Sequence, residues 1–358
     1  MEKRRLKIAQ IANIAETVPP EKYGGTERVV FTLTEELIRR GHDVTLFASG
    51  DSKTSANLIS IYPRSLRRSK VENAYGLNLL TLLHIGYAYE RASQFDIVHD
   101  HMGYFGLPTA NICKTPVVIT AHGPFGVNER RIFENLTHPH VVAISHSHAA
   151  TAPKVTFADI IHNGLQMEHF PFKQKKGEYL LFLGRISLEK GTHFAIEAAQ
   201  YLDMPLIIAA KLNSIADSPA DVAYFKQYVE PRLSDRIKWI GEVTEKERNR
   251  LLSNAMCLLH PVTWSEPFGL AIIESMACGT PVIGFNLGSI PELITDGKTG
   301  FVVRDVGEMI DAVVKIDQID RRYCRTYALS NFSSRKMTDA YEALFYRVLE
   351  SQNPKSKS

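Results

Sequence analysis

The chain is poor in cysteine, with four in 358 residues, and Cys113, Cys257, Cys278 and Cys324 stand too far apart for C-x-x-C or zinc-like spacing. No disulfide framework is implied, and a reducing cytoplasm suits this usage. No apolar run approaches the roughly 20 residues that span a bilayer, and the N-terminal MEKRRLKIAQIANIAE lacks the long apolar core of a signal peptide. A cytoplasmic protein is expected. Dinucleotide-type G-x-G-x-x-G is missing, which weakens a dehydrogenase reading; H-E-x-x-H and D-x-D are missing too, so no motif offers a metal under a diphosphate. Charge of one sign is scarce, at 42 Lys plus Arg against 39 Asp plus Glu, and no nucleic-acid partner is expected. The densest basic run, Arg64, Arg67, Arg68 and Lys70, leaves open a weak peripheral contact with an anionic membrane beside a solvated surface. Nothing in the sequence speaks to oligomeric state.

What is present is the grammar of an α/β protein. LKIAQIA (6–12), a helical stretch from Thr26 to Arg40 and DVTLFAS (43–49) read as a βαβ unit, and parallel strands covered on both faces explain the continuous apolar runs. Thr26 is expected to cap that helix, Val30, Leu33 and Leu37 to form its buried stripe, and Gly41 to stop it. Further strands are predicted at 96–99, 116–121, 140–145 and 158–163. After the polar KQKKGE the pattern restarts, with strands at 179–184, 205–210, 237–241, 257–260, 281–285 and 300–303 and a helix over 192–201. Two doubly wound, Rossmann-like domains are therefore expected, split near residues 170 and 171, the second running to about residue 335. Met337, Tyr341, Leu344, Phe345 and Val348 mark a last helix, expected to cross back to the first domain before a polar tail.

Chemistry concentrates in SEPFGLAIIESMACGTPVI (265–283), where Pro267 and Phe268 are expected to open a helix ending at Ala277. Glu266 precedes its first turn, and Glu274 shares a face with Leu270, Ala271 and Ala277. The residues leave two readings open. Glu266 is either a first-turn acid and Glu274 a partnered core acid, or both face a ligand at a helix N-terminus suited to phosphate. A second stretch, GRISLEKG, sets Gly184, Arg185 and Lys190 at the carboxyl end of a strand, and two cations there suit a pyrophosphate. Gly24 and Gly25 in KYGGTERVV lie between the first strand and first helix, where glycine permits close backbone approach or simply a tight turn. Ile240 and Gly241 follow Trp239 at another strand end and are candidates for a base-binding wall. Histidines crowd the first half as H-x-H at 99/101, 138/140 and 146/148, with His122 closing the strand PVVITA. A zinc site comes to mind, but no acidic cluster completes it.

E-P-F-G-L-x-x-x-E-x-M-A-C-G-T-P-V resembles the signature of retaining GT-B transferases of glycosyltransferase family 4 (glycosyl transferases group 1), and G-R-x-x-x-x-K-G resembles that family's diphosphate clamp. The resemblance runs along nearly the whole chain and is strongest over 180–303. It implies a GT-B architecture, two Rossmann-like domains facing across a cleft, with acceptor binding in the first and nucleotide-sugar binding in the second. It further implies that Glu266 meets the donor sugar, Glu274 the ribose, and Pro267, Phe268, Gly269 and Leu270 the sugar and phosphate. Arg185 and Lys190 would hold the diphosphate, Gly24 and Gly25 the phosphate side, and His122 the transferred sugar. Asp100 and His101, ending DIVHDH, and Asn163 are assigned to the acceptor side. IHNGLQ departs from the family's P-N-G-V-D, since His162 and Gln166 replace Pro and Asp. The implied activity is transfer, with retention, of a hexose from a nucleotide diphosphate sugar, UDP-glucose being the expected donor, to a hydroxyl of a glycan, lipid-linked glycan or small metabolite. No cofactor or metal is expected, since the nucleotide sugar is a substrate. Rival readings are a glycosidase using Glu266 and Glu274, an inverting transferase or epimerase on the same fold, and a non-catalytic nucleotide-sugar-binding module.

Overall fold

The computed structural model describes residues 4–22, 24–69, 71, 74–212 and 218–352; Lys70 of the basic run lies outside them. The chain forms two compact units, one made of residues 1–165 with 334–358 and one of residues 166–333. The sequence boundary near 170 thus moves to 165, and the last helix, Ser334–Gln352, is part of the first unit.

The first unit is built on seven parallel strands, β1 (Lys7–Ile11), β2 (Asp43–Phe47), β3 (Asn57–Ile59), β4 (Ile97–Asp100), β5 (Val117–Thr120), β6 (His140–Ala143) and β7 (Phe157–Ile160). Their order is β3-β2-β1-β4-β5-β6-β7, which reverses direction at β1/β4, the kind of point where open α/β sheets bind ligands. The first helix runs Gly25–Arg39, with Val30, Leu33 and Leu37 fully buried and Gly41 at φ 89 just beyond its end. Thr26 does not cap it. Gly24 occupies the cap position without any side-chain bond, so Thr26 already lies in the first turn.

Among the elements that the sequence reading did not mark, two show why. β3 is three residues long and only partly buried, and Ala74–Tyr89 is a helix without a single charged residue. Its inner face carries His84, Ile85, Ala88 and Tyr89, while Tyr75, Leu79, Leu82 and Leu83 face outward. Apolar residues all round erase the 3.6-residue contrast that pattern reading depends on.

The closing helix buries Tyr341 and Phe345 against β4 and β5: both rings pack on His99, and the Tyr341 hydroxyl lies 2.8 Å from Thr120 Oγ1. Glu342 ties it to the segment leaving the first helix, through Arg40 Nη1 at 3.1 Å and His42 Nε2 at 3.0 Å.

The second unit has six parallel strands, β8 (Leu180–Arg185), β9 (Leu206–Lys211), β10 (Ile237–Trp239), β11 (Cys257–His260), β12 (Val282–Phe285) and β13 (Gly300–Val303), in the order β10-β9-β8-β11-β12-β13. Here the order reverses at β8/β11. No helix among the described residues is long and apolar enough to cross a membrane.

Candidate active site

In the second unit the adjacency of β8 and β11 decides which loops meet. Arg185 ends β8 and Lys190 lies in the turn Leu188–Lys190 just after it. Gly191 follows at φ 69, and a Cβ there would stand 2.0 Å from the Pro261 carbonyl, so glycine lets this turn lie against the segment leaving β11. Thr263 N–H donates to the Glu189 carbonyl at 2.8 Å and fastens the two together. As a result Lys190 Nζ donates to Glu266 Oε2 at 2.5 Å, although 76 residues separate them. Trp264 Nε1–H donates to the same oxygen at 3.0 Å, and its ring lies 5.0 Å from Lys190 Nζ. Arg185 Nη2 donates to Glu189 Oε1 at 2.5 Å, leaving its buried Nε without a protein acceptor.

The helix expected from Pro267 begins at Leu270 instead, with Gly269 as its cap at φ 88. Pro267 and Phe268 form the approach to it; Phe268 is buried and its carbonyl accepts from Ser289 Oγ at 2.6 Å. The N–H groups of Leu270 and Ala271 have no acceptor within the helix, which makes this end favourable to an anion. Glu266 is held at the backbone: Ser289 N–H donates to its carbonyl at 3.0 Å, and a Cβ on Gly288 would come within 2.4 Å of its nitrogen.

Glu274 behaves differently. It is buried, and its Oε2 lies 3.5 Å from Arg248 Nε, also buried. The two acids of E-x7-E are thus each matched to a separate cation, Glu266 to Lys190 and Glu274 to Arg248. Gly184 pairs with Ala210 along the end of β8. Ile240 is about half exposed with its N–H bonded to the Ile208 carbonyl, and Gly241 follows at φ 74.

In the first unit, Gly24 at φ 151 stands where a Cβ would meet Pro20 at 2.6 Å, so the glycine answers to close packing as well as to any ligand; Gly25 opens the first helix. His122 follows β5, and its Nε2 lies 2.9 Å from His101 Nδ1. Burial pushes the His122 ring down to about 3, so it is neutral at physiological pH. Asp100 is fully buried, its carboxyl pushed up to about 6 by that burial, and it accepts from Tyr89 Oη at 2.7 Å and Met102 N–H at 2.6 Å. Asn163 is buried with its side-chain oxygen free of any protein donor. Of the H-x-H pairs, His146 and His148 sit on the short helix His146–Ala150 rather than a strand. No group of three or more His, Cys, Asp or Glu among the described residues could hold a metal ion.

Residues that sequence reading missed are Trp264, His260 and Glu27. Trp264 stands two residues before Glu266, near enough to have been weighed. His260 ends β11 buried and pushed down to about 4, with no protein partner on Nε2. Glu27, buried beside the Gly24 turn, is pushed up to about 7 by desolvation.

The carboxyl ends of β8 and β11 therefore carry two cations, a carboxylate and a helix N-terminus, the composition of a phosphate-sugar site. Residues 166–325 match the family model described as glycosyl transferases group 1, and residues 23–169 match glycosyltransferase family 4. The chain belongs to this glycosyltransferase family. It is 24% identical to N-acetyl-alpha-D-glucosaminyl L-malate synthase of Bacillus anthracis, over 91% of this chain and 94% of that one. Its fold is GT-B: a sucrose-phosphate synthase from Thermosynechococcus elongatus superposes with a TM-score of 0.80 at 18% identity, covering 97% of this chain and all of the other. The Anabaena protein HepE, solved with UDP and glucose, superposes with a TM-score of 0.73 at 17% identity, over 96% and 100% of the two chains. The family-4 chain is accordingly a glycosyltransferase.

Proposed function

We propose that this glycosyltransferase moves a hexose from UDP-glucose to an acceptor hydroxyl with retention of anomeric configuration and without a metal. The observation that carries the reading is the grouping of Arg185 and Lys190 with Glu266 at the carboxyl ends of β8 and β11. Arg185 and Lys190 take the diphosphate, each close contact supplying about 4 kcal/mol of gross Coulomb attraction near a surface, against ~0.3 to 1 for the helix dipole. The cations thus dominate leaving-group stabilisation. Glu266 receives hydroxyls of the donor sugar, Gly269 and Leu270 the phosphate, Glu274 the ribose side, and Ile240 with Gly241 the base. From the first unit, Gly24 and Gly25 are assigned to the phosphates, His122 to the transferred sugar, and Asp100, His101 and Asn163 to the acceptor. The free side-chain oxygen of buried Asn163 supports a ligand there.

In the reaction the bond from the anomeric carbon to the phosphate oxygen breaks, and one to the acceptor oxygen forms on the same face. The acceptor proton passes to the departing phosphate. No protein nucleophile takes part, so the chain contributes positioning and a preorganised positive field. The donor choice is supported by the UDP and glucose held by HepE. Arg185→Ala and Lys190→Ala are each expected to lower transfer from UDP-glucose at least about 100-fold, the range for one lost transition-state donor, with circular dichroism unchanged. Near-native turnover in both would falsify the clamp; an inverted product anomer or EDTA-sensitive transfer would overturn retention or metal independence.

A further inference from the structure

Gln10 in β1, His101 just past β4 and His122 just past β5 belong to neighbouring strands and share one face of the sheet. Gln10 is in register with His99 and His99 with Val118, and side chains two residues apart point the same way. Hydrogen bonds join them in a row, His101 Nε2 lying 2.7 Å from Gln10 Oε1 and His101 Nδ1 2.9 Å from His122 Nε2. An amide oxygen only accepts, so the proton of this pair sits on His101 Nε2. Burial keeps the His101 ring neutral, which leaves its Nδ1 a lone pair. His122 Nε2 must then be the donor between the two rings, and its Nδ1 carries no proton. His99, packed at 4.0 Å between ring centroids, holds the His101 plane in this orientation.

We propose that Gln10 and His101 are positioning residues that fix His122 in its Nε2–H tautomer, so that Nδ1 accepts a hydrogen bond from a hydroxyl of the sugar. This rests on the assignment of His122 to the transferred sugar. A histidine free to exchange tautomers would present that acceptor only part of the time. Fixing it removes a reorganisation step from binding.

The test uses the full chain labelled with 15N-histidine, in which two-bond proton–nitrogen correlations report which ring nitrogen is protonated; His122 is identified by its loss in His122→Ala. The expected result is Nε2–H on His122 in the unmodified chain and in His101→Asn, whose amide oxygen can replace Nδ1 as acceptor. In His101→Phe and Gln10→Leu a mixture of tautomers is expected, with kcat/KM for UDP-glucose falling about tenfold, the scale of one hydrogen bond. His101→Asn should recover transfer relative to His101→Phe, which loss of packing alone does not predict. An Nδ1–H tautomer in the unmodified chain overturns the proposal, as does unchanged Nε2–H in whichever of the two disrupting variants folds. If the tautomers shift as expected while His122→Ala transfers at the unmodified rate, the relay stands and its sugar contact, with the assignment beneath it, is lost.

Discussion

Lys190 Nζ lies 2.5 Å from Glu266 Oε2, so one carboxylate balances the cation proposed to receive the diphosphate. A phosphate arriving at Lys190 competes with that carboxylate. Glu266→Gln removes the competitor at nearly constant shape and should tighten UDP binding by up to about fivefold, the worth of a partly exposed ion pair. Transfer should still fall at least about tenfold, because the amide weakens the acceptor offered to the sugar. Isothermal titration with UDP and a transfer assay measure the two effects, and weaker UDP binding would count against the competition.

The second acid should report on stability as much as on binding. Glu274→Ala leaves Arg248, which is buried beside it, without its buried counter-charge. Loss of one member of a buried pair costs about 3 kcal/mol, so the urea midpoint should drop measurably. An unchanged midpoint would show that the pair contributes nothing to folding.

Gly288 has φ 58, and a Cβ there would lie 2.4 Å from the Glu266 nitrogen and 2.5 Å from its carbonyl oxygen. Gly288→Ala therefore strains its own backbone by about 1 kcal/mol or more and pushes Glu266 from its place. Transfer should fall at least about tenfold, since small displacements of a positioning group cost rate heavily. Wild-type kinetics in this variant would show that the Glu266 backbone tolerates movement.

Buried histidines set the acid limit. Burial pushes His84, His148 and His260 down to about 4 and His122 to about 3. An unfolded histidine protonates near 6.5, so the unfolded chain binds protons first and stability is lost as pH falls from about 6.5 toward 4. Glu27 and Asp100, raised to about 7 and about 6, act in the opposite sense, since folding favours their protonated forms at low pH. The histidines outnumber them, giving a net loss on the order of 1 kcal/mol or more per pH unit. Urea midpoints by circular dichroism at pH 7 and pH 5 check this; a flat or rising midpoint toward pH 5 contradicts it.

Much of the fold was legible for one reason. Parallel strands covered on both faces must be apolar throughout, and CLLH and GFVV occupy β11 and β13 as read. β3 escaped because three partly exposed residues carry no such run, and the uncharged helix Ala74–Tyr89 because it has no polar face to set its period. Thr26 misled because a capping residue type counts only where the backbone turns, and the turn is made two residues earlier, at Gly24. At the site, Arg185, Lys190 and Glu266 were readable from motif and strand ends. His260 was not, since its relevance depends on what stands opposite it, and Trp264 had only its nearness to Glu266 to mark it.

The sequence by itself determined two alternating α/β patterns, a pair of cations after one strand and two acids around one helix, because these follow from local periodicity and local chemistry. Only the tertiary structure decided which charges meet. Strand order brings β8 beside β11 and so joins Lys190 to Glu266, while Arg248, which no motif marks, takes Glu274. The same holds in the first unit, where three strands in register set Gln10, His101 and His122 in a row. Hydrogen bonds and ion pairs act over a few ångströms, and residues distant along the chain come that close only when the sheet has formed.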